Sequence, residues 1–468
     1  TRPHRNSRGC VIVASAQTLH EVSRRSKIVL VLVSLIGLVM FFQFSAPTIA
    51  DSDTFFYIRR AWQYRTEGIF NTAFPWTYYS SIRLFSASLW YGFGIFLIPF
   101  TFLSSLALGA KIAGAVLGWM VLVAFLSITI RYRMKWAFLW PLLLFFLAPN
   151  ITYRFLMARP QLLSLAAALI LFSYLISSDP EKEQEGRVIP GRIWKRYGII
   201  FLSSFAIAWF HLNFVWVPFM LLGAVIIGNI FAKISFDWKS CGAMLGGVIA
   251  GWMLRPDPLN ALKLFYIQVV QQIAEKQGGL PLLFGAENFP LTFKILFQNF
   301  TPFLLLWTVS IGIAVYAIAQ KKVKRDTPLM RLLAASSLIS LVCFVLTMFV
   351  ARRAYDLWGL FGVLTIGAVF TEIIPSLKSV FYTNLSKWMI IGVSVFLVLY
   401  SGGRTLKSFE NASSPDRMKE VALWMRDHSN EEDIVFNLNW SHFSPLFFWN
   451  QKNYYTGGLD PIFQYAYN

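Results

Sequence analysis

The sequence predicts an all-α polytopic membrane protein with about eleven transmembrane helices and a small C-terminal α/β piece. The chain of 468 residues is 56% hydrophobic and has a mean hydropathy of +0.55, whereas soluble domains are about 45–50% apolar. Its apolar residues come in blocks, many of them about as long as a helix that crosses ~30 Å of hydrocarbon. The predicted spans are 28–49, 109–130, 136–149, 162–177, 198–210, 214–231, 241–253, 301–320, 329–350, 357–374 and 388–400.

The basic residues predict the orientation of these spans. The net charge is +19, and the cations lie between apolar blocks rather than on one soluble face. They therefore indicate positive-inside topology and argue against nucleic-acid binding. We expect the basic tail 1–27 and the segments 131–135, 178–197 and 321–331 to be cytoplasmic. Asp51 and the C terminus would then lie outside, in the inner or plasma membrane of a bacterium.

One apolar segment does not fit this orientation as a span. The chain must cross the membrane an odd number of times between Asp51 outside and Arg131 inside, yet residues 86–130 contain two apolar blocks. Pro99 interrupts the first block, and Trp90 and Tyr91 are typical of a membrane interface. We therefore predict that residues 86–106 lie at the outer leaflet without crossing it.

The predicted domains follow from the same topology. A transmembrane domain at 28–400 contains two large outer loops, 51–108 and 254–300. An outer C-terminal domain follows at 401–468, with its truncation left open. Its stretch "ASSPDRMKEVALWMRDHSNEEDIVFNLNW" (412–440) predicts an amphipathic helix, a turn and a short strand. The large pieces outside the membrane thus share the outer face.

Two carboxylates follow the first span directly, in "TIADSDTFFYIRRAWQ" (48–63). Asp51 or Asp53 can cap the helix that follows, although one Asp would be enough. The other interpretation is a general base, or a ligand of a divalent cation, beside the membrane surface. The residue types that follow are those that contact sugar rings and phosphates. They are Tyr57, Arg59, Arg60 and Trp62.

This order of motifs resembles the first outer loop of the GT-C membrane glycosyltransferases. That loop has an acidic residue after the first span, an aromatic-rich helix, a Gly (here Gly68) and a Pro-aromatic turn (here "FPWTYYS", 74–80). The superfamily includes protein O-mannosyltransferases, aminoarabinose transferases and oligosaccharyltransferases. The stretch "LAPNITYRFLMARPQLLSL" (147–165) is similar to their outer turn between the third and fourth spans. The resemblance implies a sugar donor on a polyprenyl phosphate or diphosphate, and a glycan, lipid or protein acceptor.

The resemblance also implies roles for individual residues. The family's base or metal ligand matches Asp53 or Asp51, and Asp53 is preferred because Asp51 is better placed to cap the helix. A divalent cation, Mg²⁺ or Mn²⁺, is allowed but not required, because Arg or Lys can stabilise a phosphate leaving group. The family's phosphate ligands match arginines whose alternative role is snorkelling to headgroups. They are Arg159, Arg255, Arg352 and Arg353, with Arg59 and Arg60 beside Asp53.

Further residues at predicted outer turns are candidates for binding the sugar or the acceptor. His211 and Asn213, in "AWFHLNFVW" (208–216), either line a cavity or are hydrogen-bonded turn residues. Glu287, in "FGAENFPL" (284–291), is either a metal or acceptor carboxylate or a solvated loop residue. The aromatic candidates are Tyr57, Trp62 and Tyr355.

The sequence contains none of three motifs for other chemistries: the phosphate-binding GxxxxGK[ST], the zinc motifs HExxH and CxxC, and the hydrolase motif GxSxG. The leading hypothesis is a membrane glycosyltransferase that uses a lipid-linked sugar on the outer face. The alternative is a transporter or flippase of a lipid-linked or anionic substrate. Charges within the spans would favour it, but few charged residues, among them Lys111 and Arg331, lie in or at the edges of spans. A third hypothesis is a catalytically inactive relative that acts in assembly.

Overall fold

The computed structural model describes the backbone of residues 8–177, 190–376 and 384–467, with side chains for 26–177, 193–376 and 391–467. Residues 1–7 of the predicted cytoplasmic tail, and most of the predicted cytoplasmic segment 178–197, lie outside these ranges. The predicted all-α class is confirmed, because helices dominate and the described strands are two residues long.

The first part of the chain, up to the second large outer loop, forms eleven described helices. They are α1 (Arg8–Phe44), α2 (Asp53–Glu67), α3 (Ser81–Phe85), α4 (Tyr91–Leu97), α5 (Leu106–Arg131), α6 (Leu139–Phe145), α7 (Pro149–Arg154), α8 (Pro160–Ile176), α9 (Pro190–Phe210), α10 (Trp216–Phe231) and α11 (Trp238–Met253).

The second part continues the helical architecture and adds one small parallel strand pair. Its described elements are α12 (Pro258–Phe265), α13 (Gln272–Gln277), α14 (Phe293–Asn299), α15 (Thr301–Ala319), α16 (Pro328–Phe349), α17 (Tyr355–Ala368), α18 (Asn384–Glu410), α19 (Lys419–His428), β1 (Ile434–Val435), α20 (Phe443–Trp449), β2 (Tyr454–Tyr455) and α21 (Pro461–Tyr465). After α17 a π-helical turn, Val369–Ile373, leads into the short helix Ile374–Ser376.

Six helical segments of the described chain are long and apolar enough to cross a membrane. They are Ser26–Phe44, Leu106–Arg131, Leu212–Phe231, Thr301–Ala319, Pro328–Phe349 and Arg352–Ser376. Other predicted spans coincide with shorter helices, such as α6 with 7 residues and α8 with 17. The protein therefore has membrane-spanning helices, and the number eleven stays a prediction.

An aromatic cluster around Trp358 holds three of the long helices together. The Trp358 ring lies 4.9 Å from that of Phe303 on α15 and 4.9 Å from that of Phe344 on α16. The candidate span that includes α17 is the most enclosed of the six. Of its apolar stretch 83% is buried, compared with 22% for the span in α1. Since α17 begins beside Arg352 and Arg353, this packing fixes the position of both arginines.

Helices α1 and α5 are antiparallel neighbours, which decides the path of the first outer loop. The ammonium of Lys111 donates to the carbonyl of Ala46, and Trp119 Nε1 donates to the carbonyl of Leu32 at 3.1 Å. The chain therefore leaves α1 and enters α5 on the same side of the helical bundle. In this interval, α4 has 7 residues and the following 3₁₀ helix has 5, about 20 Å in total, which is short of ~30 Å of hydrocarbon.

The C-terminal residues pack on the first outer loop and do not form a separate body. The ring of Phe447 lies 5.3 Å from Phe74 and 5.2 Å from Trp76, and Tyr455 N donates to the Trp76 carbonyl at 2.8 Å. The predicted amphipathic helix is α19, and the predicted strand is β1, which pairs in parallel with β2. The predicted boundary at residue 400 lies within α18.

We expect Ser104→Cys, in the exposed turn before α5, to be labelled from outside by a membrane-impermeant maleimide, because residues 86–106 do not cross. The background would be a variant whose native Cys10, Cys241 and Cys343 are replaced by Ala. The matched control is Lys324→Cys, in a predicted cytoplasmic segment, which should react only after the membrane is permeabilised. Labelling of Ser104→Cys only after permeabilisation would show that the topology is wrong.

Candidate active site

One arginine joins three acidic residues from distant parts of the chain. Arg159 lies at the N-cap of α8, in extended backbone just before Pro160. Its Nε and Nη2 donate to the two carboxylate oxygens of Asp51 at 2.6 and 2.7 Å. Nη2 also donates to Asp53 Oδ2 at 3.1 Å, and Nη1 donates to Glu287 Oε2 at 2.8 Å. Arg159 thus connects the two predicted large outer loops.

Further ion pairs extend this group around Glu287. Arg154, at the end of α7, donates to Glu287 at 3.0 Å and to Asp356 at 2.9 Å. Arg353 donates to the other oxygen of Glu287 at 2.7 Å. We call these seven side chains the carboxylate–arginine cluster. They are Asp51, Asp53, Arg154, Arg159, Glu287, Arg353 and Asp356.

The cluster holds four carboxyl groups and three guanidinium groups, so one negative charge has no guanidinium to balance it within the cluster. Burial raises the pKa of Asp53 to about 7, and the charges of Asp51 and Glu287 add to this effect while Arg159 opposes it. Burial would also raise the pKa of Glu287, but Arg159, Arg353 and Arg154 outweigh it and hold that pKa well below its ordinary value. Asp53 is therefore a carboxyl of the cluster whose pKa lies near neutral pH.

Asp51 does not have the capping role that the sequence predicts for it. Helix α2 begins at Asp53 and its N-cap is Ser52, with no side-chain capping bond. The Asp51 side chain is 7% exposed and binds Arg159 through both oxygens. A buried carboxylate without an opposite charge costs more free energy than a missing cap. The capping prediction is wrong for this reason.

The structure places Arg255 apart from the cluster. The residue is 4% exposed, and its guanidinium donates to the carbonyl of Ser88 at 3.0 Å and to that of Trp209 at 3.2 Å. It also donates to the carbonyl of Ala208. These bonds attach the first outer loop to the last turn of α9. A phosphate would have to displace them, which argues against the predicted phosphate-binding role.

Three other arginines that were predicted to bind phosphate also donate hydrogen bonds to backbone carbonyls. Arg60 donates to two carbonyls of the loop after α2, at 2.8 and 3.0 Å. Arg59 donates to a carbonyl of α20 at 2.9 Å and lies 4.8 Å over the ring of Trp62, the predicted sugar ligand. Arg352 donates to the carbonyl of Pro290 at 3.2 Å. Of the six predicted arginines, the structure brings Arg159 and Arg353 to the carboxylates.

His211 and Asn213 lie at the turn after α9 and leave polar atoms without partners. The buried Nδ1 of His211 and Oδ1 of Asn213 accept or donate no hydrogen bond in the structure. Burial lowers the pKa of His211 to about 3, and the charges of Arg353, Arg159 and Arg255 contribute. The imidazole is therefore neutral at pH 7. Buried polar atoms without partners are places where a ligand's polar groups can bind.

The predicted aromatic ligands Tyr57 and Tyr355 support the cluster from within. Tyr57 is 8% exposed, and its ring packs against Trp90 at 5.6 Å and Phe93 at 5.3 Å. Tyr355 is 7% exposed, and the guanidinium of Arg154 lies 5.4 Å from its ring. A sugar stacks on an open ring face, and neither ring offers one. The structure therefore does not support the prediction that Tyr57 and Tyr355 stack on a sugar.

Two spaces adjoin the cluster. A cleft of about 540 Å³ is lined by Asp51, Ser52, Tyr153, Arg417 and the segment 411–414, and its volume is in the range of small-molecule sites. A much smaller pocket of about 20 Å³ touches Arg154, Arg159, Gln161 and Asp356, enough for about one water molecule. The larger space is a depression open to the surface that reaches the cluster at Asp51, and it is the candidate substrate site.

The residues present do not fit a divalent cation. In the described part of the chain, no three His, Cys, Asp or Glu side chains converge as metal ligands. The guanidinium of Arg159 fills the position between Asp51, Asp53 and Glu287 at which one cation could bind all three. The mechanism proposed below therefore uses no metal.

Sequence reasoning missed several residues of this region. Arg154 and Gln161 lie in the quoted segment 147–165, and Asp356 lies three residues after the predicted phosphate ligand Arg353. The sequence therefore pointed to the region but not to these side chains. A carboxyl group at the edge of an apolar span, as in Asp356, is a signal that could have been followed. Arg417 and Tyr153 gave no such signal, because only folding brings them to the cleft.

Comparisons with known proteins support the fold. No family model matches the sequence, and no curated protein matches it. Among solved structures, the chain is similar to ArnT of Cupriavidus metallidurans in the apo state, with 10% identity, a TM-score of 0.54, and coverage of 94% of this chain and 87% of ArnT. It is also similar to an Archaeoglobus fulgidus oligosaccharyltransferase in complex with Zn and sulfate, with 13% identity, a TM-score of 0.53, and coverage of 92% and 62%. Both are GT-C glycosyltransferases. The chain therefore shares the fold of these two proteins.

Proposed function

We propose that this protein is an integral membrane glycosyltransferase. It transfers a sugar from a polyprenyl-phosphate- or polyprenyl-diphosphate-linked donor to a glycan, lipid or protein acceptor on the extracytoplasmic face. The observation that carries the proposal is the position of Asp53. This carboxyl is 28% exposed and accepts a hydrogen bond from Arg159, and burial together with the charge of Asp51 raises its pKa to about 7. The neighbouring Asp51 lines an open surface depression of about 540 Å³.

Asp53 acts as the general base. Its side chain is 28% exposed and is held at one oxygen by Arg159. The carboxylate takes the proton of the acceptor hydroxyl or amide, the acceptor atom attacks the anomeric carbon, and the bond from that carbon to the phosphate oxygen breaks. A base with a pKa near the working pH combines a high fraction of the reactive form with useful basicity.

Arg353 binds the leaving phosphate. Its side chain is 39% exposed, the most open of the three arginines in the cluster. Its Nη2 is held by Glu287 at 2.7 Å, and its buried Nε has no hydrogen-bond partner. A guanidinium that is oriented by one carboxylate and has a donor to spare can stabilise charge as it develops on the leaving oxygen.

Arg159 positions the carboxylates, and His211 and Asn213 bind neutral groups. All three nitrogens of the Arg159 guanidinium are already engaged by Asp51, Asp53 and Glu287, so it orients the base and does not bind the donor. The atoms without partners on His211 and Asn213 suit sugar hydroxyls. A neutral imidazole fits this role, because it adds no charge beside the arginines.

We expect Asp53→Asn to lower the rate of sugar transfer by about 10²–10⁴ without loss of folded protein, because the amide keeps the shape but not the basicity. Asp51→Asn should instead lower the melting temperature, because it breaks a buried ion pair whose loss costs about 3–5 kcal/mol. The measurements are transfer from a polyprenyl-linked donor pool, in membranes with matched expression, and thermal unfolding in detergent.

The matched control for these two variants is Asp427→Asn, an exposed outer carboxylate on α19 that pairs only with its neighbour Arg426. It should change neither measurement. Full activity of Asp53→Asn would remove the catalytic role of Asp53. Loss of activity in Asp51→Asn with unchanged unfolding would transfer the base role to Asp51.

We expect kcat/KM to rise with pH, with a midpoint near 7, because only the deprotonated Asp53 accepts the acceptor's proton. The midpoint in kcat should lie higher, because the donor's phosphate adds negative charge that disfavours the Asp53 carboxylate. The pH profile should shift in Asp53→Glu. Asp460, whose pKa burial raises to about 6, is the competing group, and a profile that moved in Asp460→Asn but not in Asp53→Glu would contradict the assignment.

A further inference from the structure

A second and larger cavity lies away from the carboxylate–arginine cluster. Its volume is about 750 Å³, and polar and charged side chains make up most of its lining. The charged lining residues are Arg131, Arg133, Lys195, Arg196, Arg331 and Glu372.

This cavity lies at the opposite ends of the helices that carry the cluster. Helix α8 starts beside Arg159, and its far end, about 25 Å away over 17 residues, supplies Tyr174 to the cavity. Helix α16 runs the other way over 22 residues, about 33 Å, from Pro328 in the cavity wall toward Arg352 and Arg353. The cavity is therefore on the predicted cytoplasmic side, where the substrates of the proposed reaction do not bind.

Among the described residues that line the cavity, basic side chains outnumber acidic ones. Five basic residues and one acidic residue line it. Arg196 is paired with Asp237 at 3.0 Å. Glu372 accepts a hydrogen bond from Thr327 at 3.1 Å. Arg133 and Lys195 are exposed. This excess is suited to an anionic group.

Three exposed tryptophans lie close in sequence to residues around the cavity. They indicate that the cavity lies at the level of lipid headgroups. Trp194 is 75% exposed and precedes Lys195, and Trp238 is 69% exposed and follows Asp237. Trp136, near Arg133, is 45% exposed. Tryptophan is enriched where a membrane protein meets the interface. Basic pockets between transmembrane helices on the cytoplasmic side are suited to phosphate headgroups of anionic lipids.

We propose that this cavity binds the phosphate of an anionic lipid headgroup, as a second lipid site distinct from the outer cluster. Phosphate oxygens would contact Arg133 and Lys195, and the acyl chains would lie against the outer surfaces of the neighbouring helices. A free phosphate offers the same oxygens, but the exposed tryptophans would not strengthen its binding. The site is independent of the proposed glycosyl transfer.

The test measures retained lipid by native mass spectrometry, after reconstitution in nanodiscs of phosphatidylcholine with a minor fraction of phosphatidylglycerol. The wild type should retain phosphatidylglycerol in preference to phosphatidylcholine. The double variant Arg133→Gln with Lys195→Gln should retain it at least about tenfold less, because each basic residue contributes to attraction of an anionic headgroup. The charge-preserving double variant Arg133→Lys with Lys195→Arg should behave as the wild type.

The matched control is Lys321→Gln with Lys324→Gln, which removes the same charge from two residues that lie in the predicted cytoplasmic segment 321–331 but do not line the cavity. It should retain phosphatidylglycerol as the wild type does. Equal loss in this control would show a general charge effect and overturn the site, as would unchanged retention in the Arg133 and Lys195 variant. Unfolding temperatures of all variants are measured in parallel, and the single variant Lys195→Gln, at an exposed position, replaces any double variant that unfolds early.

A separate arm adds inorganic phosphate to the detergent-solubilised protein. Protection of the wild type by phosphate, with no preference for phosphatidylglycerol in nanodiscs, would overturn the assignment to a lipid. A preference for phosphatidylglycerol that is lost in the Arg133 and Lys195 variant supports it.

Discussion

The part of the structure around the carboxylate–arginine cluster depends on the hydrogen bonds of Arg159. Its guanidinium binds Asp51, Asp53 and Glu287 at once, and these acidic residues come from both large outer loops. The charges are largely removed from water, so each is stable only while the others are present. The interaction therefore does more than pair two residues. It fixes the start of α2, the start of α8 and the loop around Glu287 in one arrangement.

This arrangement gives carboxyl groups of the same chemistry different environments and therefore different roles. Asp51 gives both oxygens to Arg159 and is 7% exposed, whereas Asp53 shares one oxygen and is 28% exposed. Glu287 is held between three arginines, which keeps its pKa low. The cluster has one carboxyl more than it has guanidiniums. The excess negative charge disfavours ionisation most at the carboxyl group that is least well paired. That group is Asp53, which is also the most exposed of the cluster's carboxyl groups, at 28%.

The two ends of the helical bundle differ in charge and therefore in the ligands that suit them. At the end that carries the cluster, carboxylates and guanidiniums nearly balance. At the other end, basic side chains outnumber acidic ones around a cavity of about 750 Å³. The same helices, among them α8, α16 and α17, connect the two ends. Their aromatic packing around Trp358 gives the outer arginines a rigid support.

The sequence by itself determined the helical membrane class, and it predicted the return of the chain after α1 and singled out Asp51, Asp53 and Arg159, which the structure brings together. Hydrophobic block length and charge sidedness are properties of local sequence, and they do not depend on which helices are neighbours. The sequence did not determine which of the six arginines meets a carboxylate. Arg60 and Arg255 carry the same group as Arg159, but the carbonyls nearest to them after folding take their hydrogen bonds.

Only the tertiary structure decided the roles of Arg154, Asp356 and Glu287. Arg154 and Asp356 are separated by 202 positions, and no spacing in the chain links them. The same holds for Asp51, whose local context predicted a helix cap. Its carboxylate became buried when the loops packed together, and a buried charge takes the opposite charge within reach, because desolvation costs more than a helix cap contributes.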